Sequence, residues 1–335
     1  MGIGFLVAVP LLLGLIAWAS AALWIDGPSS RLPGRLMALV YAATALALLL
    51  WVRPLIYGVA GAALLSGGVY FWWTTLRPRS DRNWEAPLSR TPRARLQGDE
   101  ITVENVRCFE YRTPEDFDER WETRHYRWSQ LQGMDLFLSY WGPRWIAHMI
   151  ASWRFENAPP LAISIEVRKQ AHEEYSAIES FFRRFELHYV AADERDLVRL
   201  RTHGRGEDVY LYPLKIEHET AKGLLLEYLT ELNELADAPR WYNAATRNCT
   251  TASWDHVRAV TPGDPWNWRI LLNGHLDELG YERGLIHTGL PFETLRERSA
   301  ITARAQALPD DADFSRAIRE GLPGEAPDPI PPTPP

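Results

Sequence analysis

Charge is so sparse at the start of this chain that it dictates where that part can fold. Residues 1–76 hold only four charged side chains, Asp26, Arg31, Arg35 and Arg53. Three apolar runs fill the block, at 3–24, 36–52 and 55–76. A bilayer core of about 30 Å needs about 20 apolar residues in a helix rising roughly 1.5 Å per residue. The first and third runs meet that length, and the second is shorter. Only Arg53-Pro54 separates the last two, which reads as a tight turn at a membrane surface. Trp24, Trp51, Trp72 and Trp73 lie near the run ends, where interface aromatics gather. Ala19-Ser20-Ala21 resembles a leader cleavage site, but no Lys or Arg precedes the first run and two more spans follow, so retention as a helix is expected. The Gly58–Gly61 stretch suits close helix packing inside a span better than a nucleotide loop.

The remaining chain is different. Net charge is −7 overall; the first 76 residues contribute +2, so the rest carries −9. An acidic domain lacks the clustered Lys and Arg that wrapping nucleic acid requires. Residues 77–97 read as a polar linker, 98–305 as a mixed α+β domain, and 306–335, ending PGEAPDPIPPTPP, as a Pro-rich extended tail. Strand-like segments are 101–106, 134–141, 145–155, 161–168, 186–191 and 208–213. Helix-like segments are 173–184, 193–201, 217–236, 249–259 and 268–282, and the fourth-residue spacing of leucines in 217–236 marks a core-facing stripe.

Chemistry must come from few candidates. There are two cysteines and no C-x-x-C pair, H-E-x-x-H or G-x-S-x-G motif, so zinc peptidase and serine hydrolase signatures are missing and no metal or cofactor is implied. Asn248-Cys249-Thr250-Thr251 is a helix start: Asn caps, and Cys249 falls in the first turn. There the helix dipole favours the thiolate, the form that nucleophilic catalysis uses. A buried space-filling thiol is the other reading. Cys108 has no base nearby in sequence and reads as structural, although a bridge between the two cysteines stays open outside the cytoplasm.

His148 is the candidate base. In 145–155 the odd-numbered residues Trp145, Ala147, Met149, Ala151, Trp153 and Phe155 are all apolar and read as core, which places His148 on the other face with Ile146, Ile150, Ser152 and Arg154. The strand 161–168 divides the same way, with Ser164, Glu166 and Arg168 on its even face. A hairpin pairing even with even sets His148 opposite Glu166, Arg168 or Gln170. Glu166 could then hold the imidazole tautomer, or the even face is simply solvated and His148 a bystander. Tyr140 is a further candidate, as a hydrogen-bond donor to an oxyanion.

The stretches DLFLSYWGPRWIAHMIASW, LAISIEVRK, YSAIESFFRRFELHYVAADERD, GEDVYLYPL, WYNAATRNCTTA and LLNGHLDELGYERG resemble the N-terminal periplasmic domain of Lnb-type lipoprotein N-acyltransferases. The resemblance covers about residues 80–290, with Ala147 standing where many members have Gly before the histidine. It implies a permuted papain-like fold of the NlpC type, Cys249 as nucleophile and His148 as base. It also implies a phospholipid acyl donor, a lipoprotein acceptor, and a domain on the periplasmic side of a bacterial inner membrane. Charge alone points the other way, because Arg77, Arg79 and Arg82 follow the third span, a pattern that favours the cytoplasm. Two other functions fit the same residues: a cysteine peptidase or amidase acting on peptidoglycan, and a non-catalytic envelope binding protein.

Overall fold

The structure is a computed structural model that describes residues 3–28, 31–309 and 313–324. It divides into two units. The first holds residues 1–81 with the short segments 174–186 and 240–244; the second holds 82–173, 187–239 and the chain from 245 onward.

Three helices make the first unit: α1 (Ile3–Asp26), α2 (Arg31–Trp51) and α3 (Leu55–Thr75). All three are long and apolar enough to cross a membrane. Each touches the other two, and Ile16, Ala19, Ala38, Ala45 and Ala62 lie in their common core. Small side chains let the backbones close up: a Cβ on Gly58 would sit 2.3 Å from the Leu48 carbonyl oxygen, so only glycine fits. Polar groups in that core are paired, Tyr41 Oη lying 2.7 Å from Ser66 Oγ.

The segment 173–184, expected as a helix, forms turns with one 3₁₀ turn at Glu179–Phe181. Its local helix pattern loses to tertiary partners at the helix ends. Arg183 donates its backbone N–H to Asp26 Oδ2 at 3.0 Å and its guanidinium to the Leu76 carbonyl at 2.7 Å. The guanidinium also covers the Trp73 ring at 4.2 Å.

The second unit is built on an eight-stranded sheet. Its strands are β1 (Arg93–Gln97), β2 (Glu100–Arg107), β5 (Trp121–Arg127), β6 (Leu131–Tyr140), β7 (His148–Phe155), β8 (Leu161–Arg168), β9 (Glu186–Ala192) and β10 (Asp208–Pro213). The order is β1-β2-β9-β8-β7-β6-β10, with β5 also on β2; β3 (Glu110–Tyr111) and β4 (Phe117–Asp118) pair separately. Antiparallel β6, β7 and β8 form the centre. Helices α4 (Glu194–Arg199), α5 (His218–Asp237), α6 (Cys249–Val260), α7 (Leu276–Glu282), α8 (Phe292–Ser299), α9 (Thr302–Ala307) and α10 (Phe314–Ala317) complete the unit.

Both faces of the central strands are covered, so the even face is not solvated. Ile150 and Ala162 on that face pack with Leu197 of α4, Ala305 of α9 and Phe314 of α10. On the odd face Trp153 is fully buried, donates to the Ala221 carbonyl at 3.0 Å and stacks edge-on against Tyr228 of α5.

Two boundaries move accordingly. The expected linker 77–97 is partly folded: Trp84 and Leu88 are buried, Arg168 covers the Trp84 ring at 4.4 Å, and 93–97 is strand β1. Within the expected tail 306–335, residues 313–324 are folded. Phe314, Ile318 and Leu322 are buried, and Arg319 donates to Asp135 Oδ2 at 2.6 Å and to Glu194 Oε2 at 2.8 Å. Low average hydrophobicity concealed three apolar anchors and one buried cation that neutralises two buried carboxylates. The Pro-rich stretch 325–335 lies outside the described residues.

Candidate active site

Cys249 opens helix α6, and its position follows from the cap. Asn248 Oδ1 accepts from the backbone N–H groups of Thr250 and Thr251, both at 2.9 Å, and Thr251 Oγ1 accepts from the Asn248 N–H at 2.8 Å. This reciprocal capping box fixes the first turn. Cys249 is 9% exposed. Both cysteines are free thiols, so no bridge joins them.

His148 opens β7, and the register does what strand parity suggested. Ile150 pairs with Ser164, which by the antiparallel pattern brings His148 across from Glu166. His148 Nε2 lies 3.2 Å from Glu166 Oε1 and 2.6 Å from Ser164 Oγ, and Ser164 donates its own proton to Glu166 at 2.6 Å. With Ser164 donating to Glu166, Nε2 carries a proton in the neutral and the charged ring alike, and a further hydrogen bond joins the imidazole to the Cys249 thiol. Arg168, the rival neighbour, turns away to the Leu88 carbonyl at 3.0 Å.

The cation behind Glu166 is Arg201, only 2% exposed at its side chain and 2.9 Å from Glu166 Oε1. It lies in a π-helical turn, Leu200–Gly204, that follows α4. The wider turn, closed by Arg205 N–H on the Leu200 carbonyl at 3.0 Å, lets the guanidinium reach back to β8.

Electrostatics couple these groups. Burial alone would hold His148 neutral, but the Glu166 carboxylate and the Cys249 sulfur push it up to about 9. Burial likewise pushes the Cys249 thiol up, and the His148 hydrogen bond and charge, with help from the Thr250 hydroxyl and the Met149 N–H, bring it below the ordinary thiol value. Glu166 stays well below the usual carboxylate range because His148 and Arg201 outweigh its burial. Cys108 is the contrast: burial drives it up to about 12, and Glu122 lies 3.4 Å from its sulfur. Only Cys249 has the setting of a thiolate paired with an imidazolium.

Asn273 joins the site without having been foreseen. The expected helix 268–282 breaks into 3₁₀ turns at Trp268–Ile270 and Asn273–His275 before α7. The break delivers Asn273 Nδ2 to 2.7 Å from Thr250 Oγ1 and 3.5 Å from Cys249 Sγ, while Asn273 Oδ1 accepts from the Ala147 N–H at 2.8 Å. Gly274 allows this approach, because a Cβ there would lie 1.8 Å from the Arg144 carbonyl oxygen. The Asn-Gly dipeptide, a turn signal inside a helical pattern, was the available clue. Tyr140 is corrected: its hydroxyl donates to the Gly274 carbonyl at 2.9 Å, so it holds the 273–275 turn and its one proton is not free for an oxyanion.

An apolar cavity of about 680 Å³ is lined by Met149 of β7 and Thr250 of α6, the chain neighbours of His148 and Cys249, and by Ser253, Leu224, Ile270 and Leu279 among others; Cys249 and His148 are not themselves lining residues. That volume is within the roughly 300–1,000 Å³ of pockets that enclose small ligands.

Three helices long and apolar enough to cross a membrane, in one chain with a mixed α/β domain, fit a membrane-anchored protein. Residues 117–274 match the family model described as the Lnb N-terminal periplasmic domain, the family whose segments the sequence resembles. No curated protein and no solved structure matches this chain.

Proposed function

We propose that this chain is a thiol acyltransferase of the Lnb type, with a permuted papain-like domain on the periplasmic side of a bacterial inner membrane. It moves a fatty acyl chain from a phospholipid, through a thioester on Cys249, to the N-terminal amine of a lipoprotein. The observation that carries the reading is an apolar cavity lined by the chain neighbours of Cys249 and His148, together with a thiol whose imidazole partner is itself oriented by a carboxylate. A glycopeptide substrate such as peptidoglycan would want polar walls, whereas Met149, Leu224, Ile270 and Leu279 suit a hydrocarbon chain. The order of His148 before Cys249 in the chain accords with the permuted fold.

In the first half-reaction the Cys249 thiolate attacks an ester carbonyl of the phospholipid. The C–S bond forms, the ester C–O bond breaks, and the lysophospholipid oxygen leaves with the proton of the His148 imidazolium. In the second, the α-amine of the lipidated cysteine attacks the thioester. The C–N bond forms, the C–S bond breaks, neutral His148 takes the amine proton, and the starting ion pair returns. Asn273 Nδ2 is the donor near the carbonyl oxygen that becomes negative, since the Thr250 and Thr251 amides are taken by the Asn248 cap. Glu166, Ser164 and Arg201 hold the imidazole from its Nε2 side.

The test is transfer in nanodiscs. The full chain is supplied with a phospholipid bearing a deuterated acyl chain and a diacylglyceryl-cysteine peptide with a free amine. Appearance of the deuterated chain in amide linkage on the peptide supports the reading; a peptide left unacylated while Cys249 remains alkylatable counts against it.

A further inference from the structure

The loops that frame Cys249 present large apolar side chains to the outside. Trp141, Trp145 and Ile146, in the loop between β6 and β7, are 59%, 61% and 53% exposed. Trp266, Trp268 and Leu271, in the segment before Asn273, are 61%, 47% and 46% exposed. Single exposed apolar residues are ordinary, but six on two adjoining loops make a patch that water does not favour.

The two loops form one face. The Gly274 N–H donates to the Trp145 carbonyl at 3.2 Å, and the Trp145 and Trp268 rings flank His275 at 6.1 and 5.7 Å between centroids. The second loop is also a wall of the cavity, through Pro265 and Ile270. One segment thus turns apolar side chains inward to the cavity and outward to the surroundings. The nearby cations do not compete, since Arg144 pairs with Glu278 at 2.8 Å and Arg269 with Glu282 at 2.6 Å.

We propose that the 141–146 and 266–271 loops seat this domain in the surface of the bilayer. A chain with three membrane-crossing helices keeps its other unit within tether range of lipid. Trp is the side chain that prefers the headgroup level, with an apolar ring and an N–H that can stay hydrated. An acyl chain then slides from the bilayer past Leu271 and Ile270 into the cavity without crossing water. That last step rests on the acyltransferase reading; the seating itself does not.

The test uses the full chain in nanodiscs doped with a phospholipid that carries a diazirine high on its acyl chain. After irradiation, labelled peptides are mapped by mass spectrometry. Label on peptides containing 141–146 and 266–271, besides the three helices, is expected, and Trp266→Ser with Trp268→Ser should reduce it at least several-fold at an unchanged melting temperature. Label confined to the three helices overturns the proposal, whether the face then meets water, a second copy or a protein partner. The label needs no turnover, so labelled loops in a chain that forms no thioester leave the seating standing and remove only the acyl transfer. Thioester formation with unlabelled loops does the reverse.

Discussion

The amide of Ala147 and the side chain of Asn273, 126 residues apart, are joined by a 2.8 Å hydrogen bond. The same Asn273 amide group reaches Thr250 and the Cys249 sulfur from its other end. One side chain thereby locks the start of the histidine strand to the start of the cysteine helix. Asn273→Ala should lower the rate of thioester formation by roughly 10²–10³-fold, the usual effect of losing one oxyanion donor. Asn273→Asp should do more, placing a negative charge beside the sulfur and moving the pH midpoint of Cys249 alkylation upward. An unchanged midpoint in the Asp variant would remove Asn273 from the site.

Proton bookkeeping predicts a bell-shaped profile. Activity rises as Cys249 ionises, below the ordinary thiol value, and falls as His148 loses its proton near pH 9. Glu166→Gln removes the main influence that raises His148, so the descending limb should move to lower pH and the maximal rate should drop about 10²–10⁴-fold. His148→Ala should shift Cys249 ionisation upward, because burial is then opposed only by the Thr250 hydroxyl and the Met149 N–H. Iodoacetamide rates measured from pH 5 to pH 10 check both.

The C-terminal segment should behave as part of the domain. Ending the chain at residue 312 removes Phe314, Ile318 and Leu322 from the core and leaves Asp135 and Glu194 without Arg319. Breaking such a buried pair costs about 3–5 kcal/mol, a fall in melting temperature on the order of 10 °C. Ending it at residue 324 should leave the transition in place. Calorimetry on both truncations separates a packed segment from an extended one.

The cavity should set chain length. Thr220 lines it from α5 and is half-buried, so Thr220→Trp takes up part of the volume without emptying the core. Competition between labelled long and short acyl donors should then shift several-fold toward the short one. An unaltered preference would place the acyl chain elsewhere.

Much of this was legible because it depends on local rules. Strands β8 and β10 and the Cys249 helix start follow from β-rich runs and an Asn cap, and parity along two strands puts Glu166 on the face of His148, while the register that selects it over Arg168 and Gln170 comes from the sheet. Long-range relations were not legible. Arg201 reaches Glu166 only because α4 ends in a π turn, and Asn273 reaches Cys249 only because a helical pattern breaks at an Asn-Gly. The even face looked solvated because its Ser, Glu and Arg residues are polar, yet α4, α9 and α10 cover it and supply partners for those groups.

The account stands or falls on the Cys249 thioester. Intact-protein mass spectrometry of the detergent-purified chain, incubated with phospholipid, should show one hydroxylamine-labile acyl adduct on the wild type and none on Cys249→Ser or His148→Ala. A wild type that stays unmodified, with a Cys249 that also ignores a small thiol probe, would contradict the account and leave a buried thiol in a binding protein.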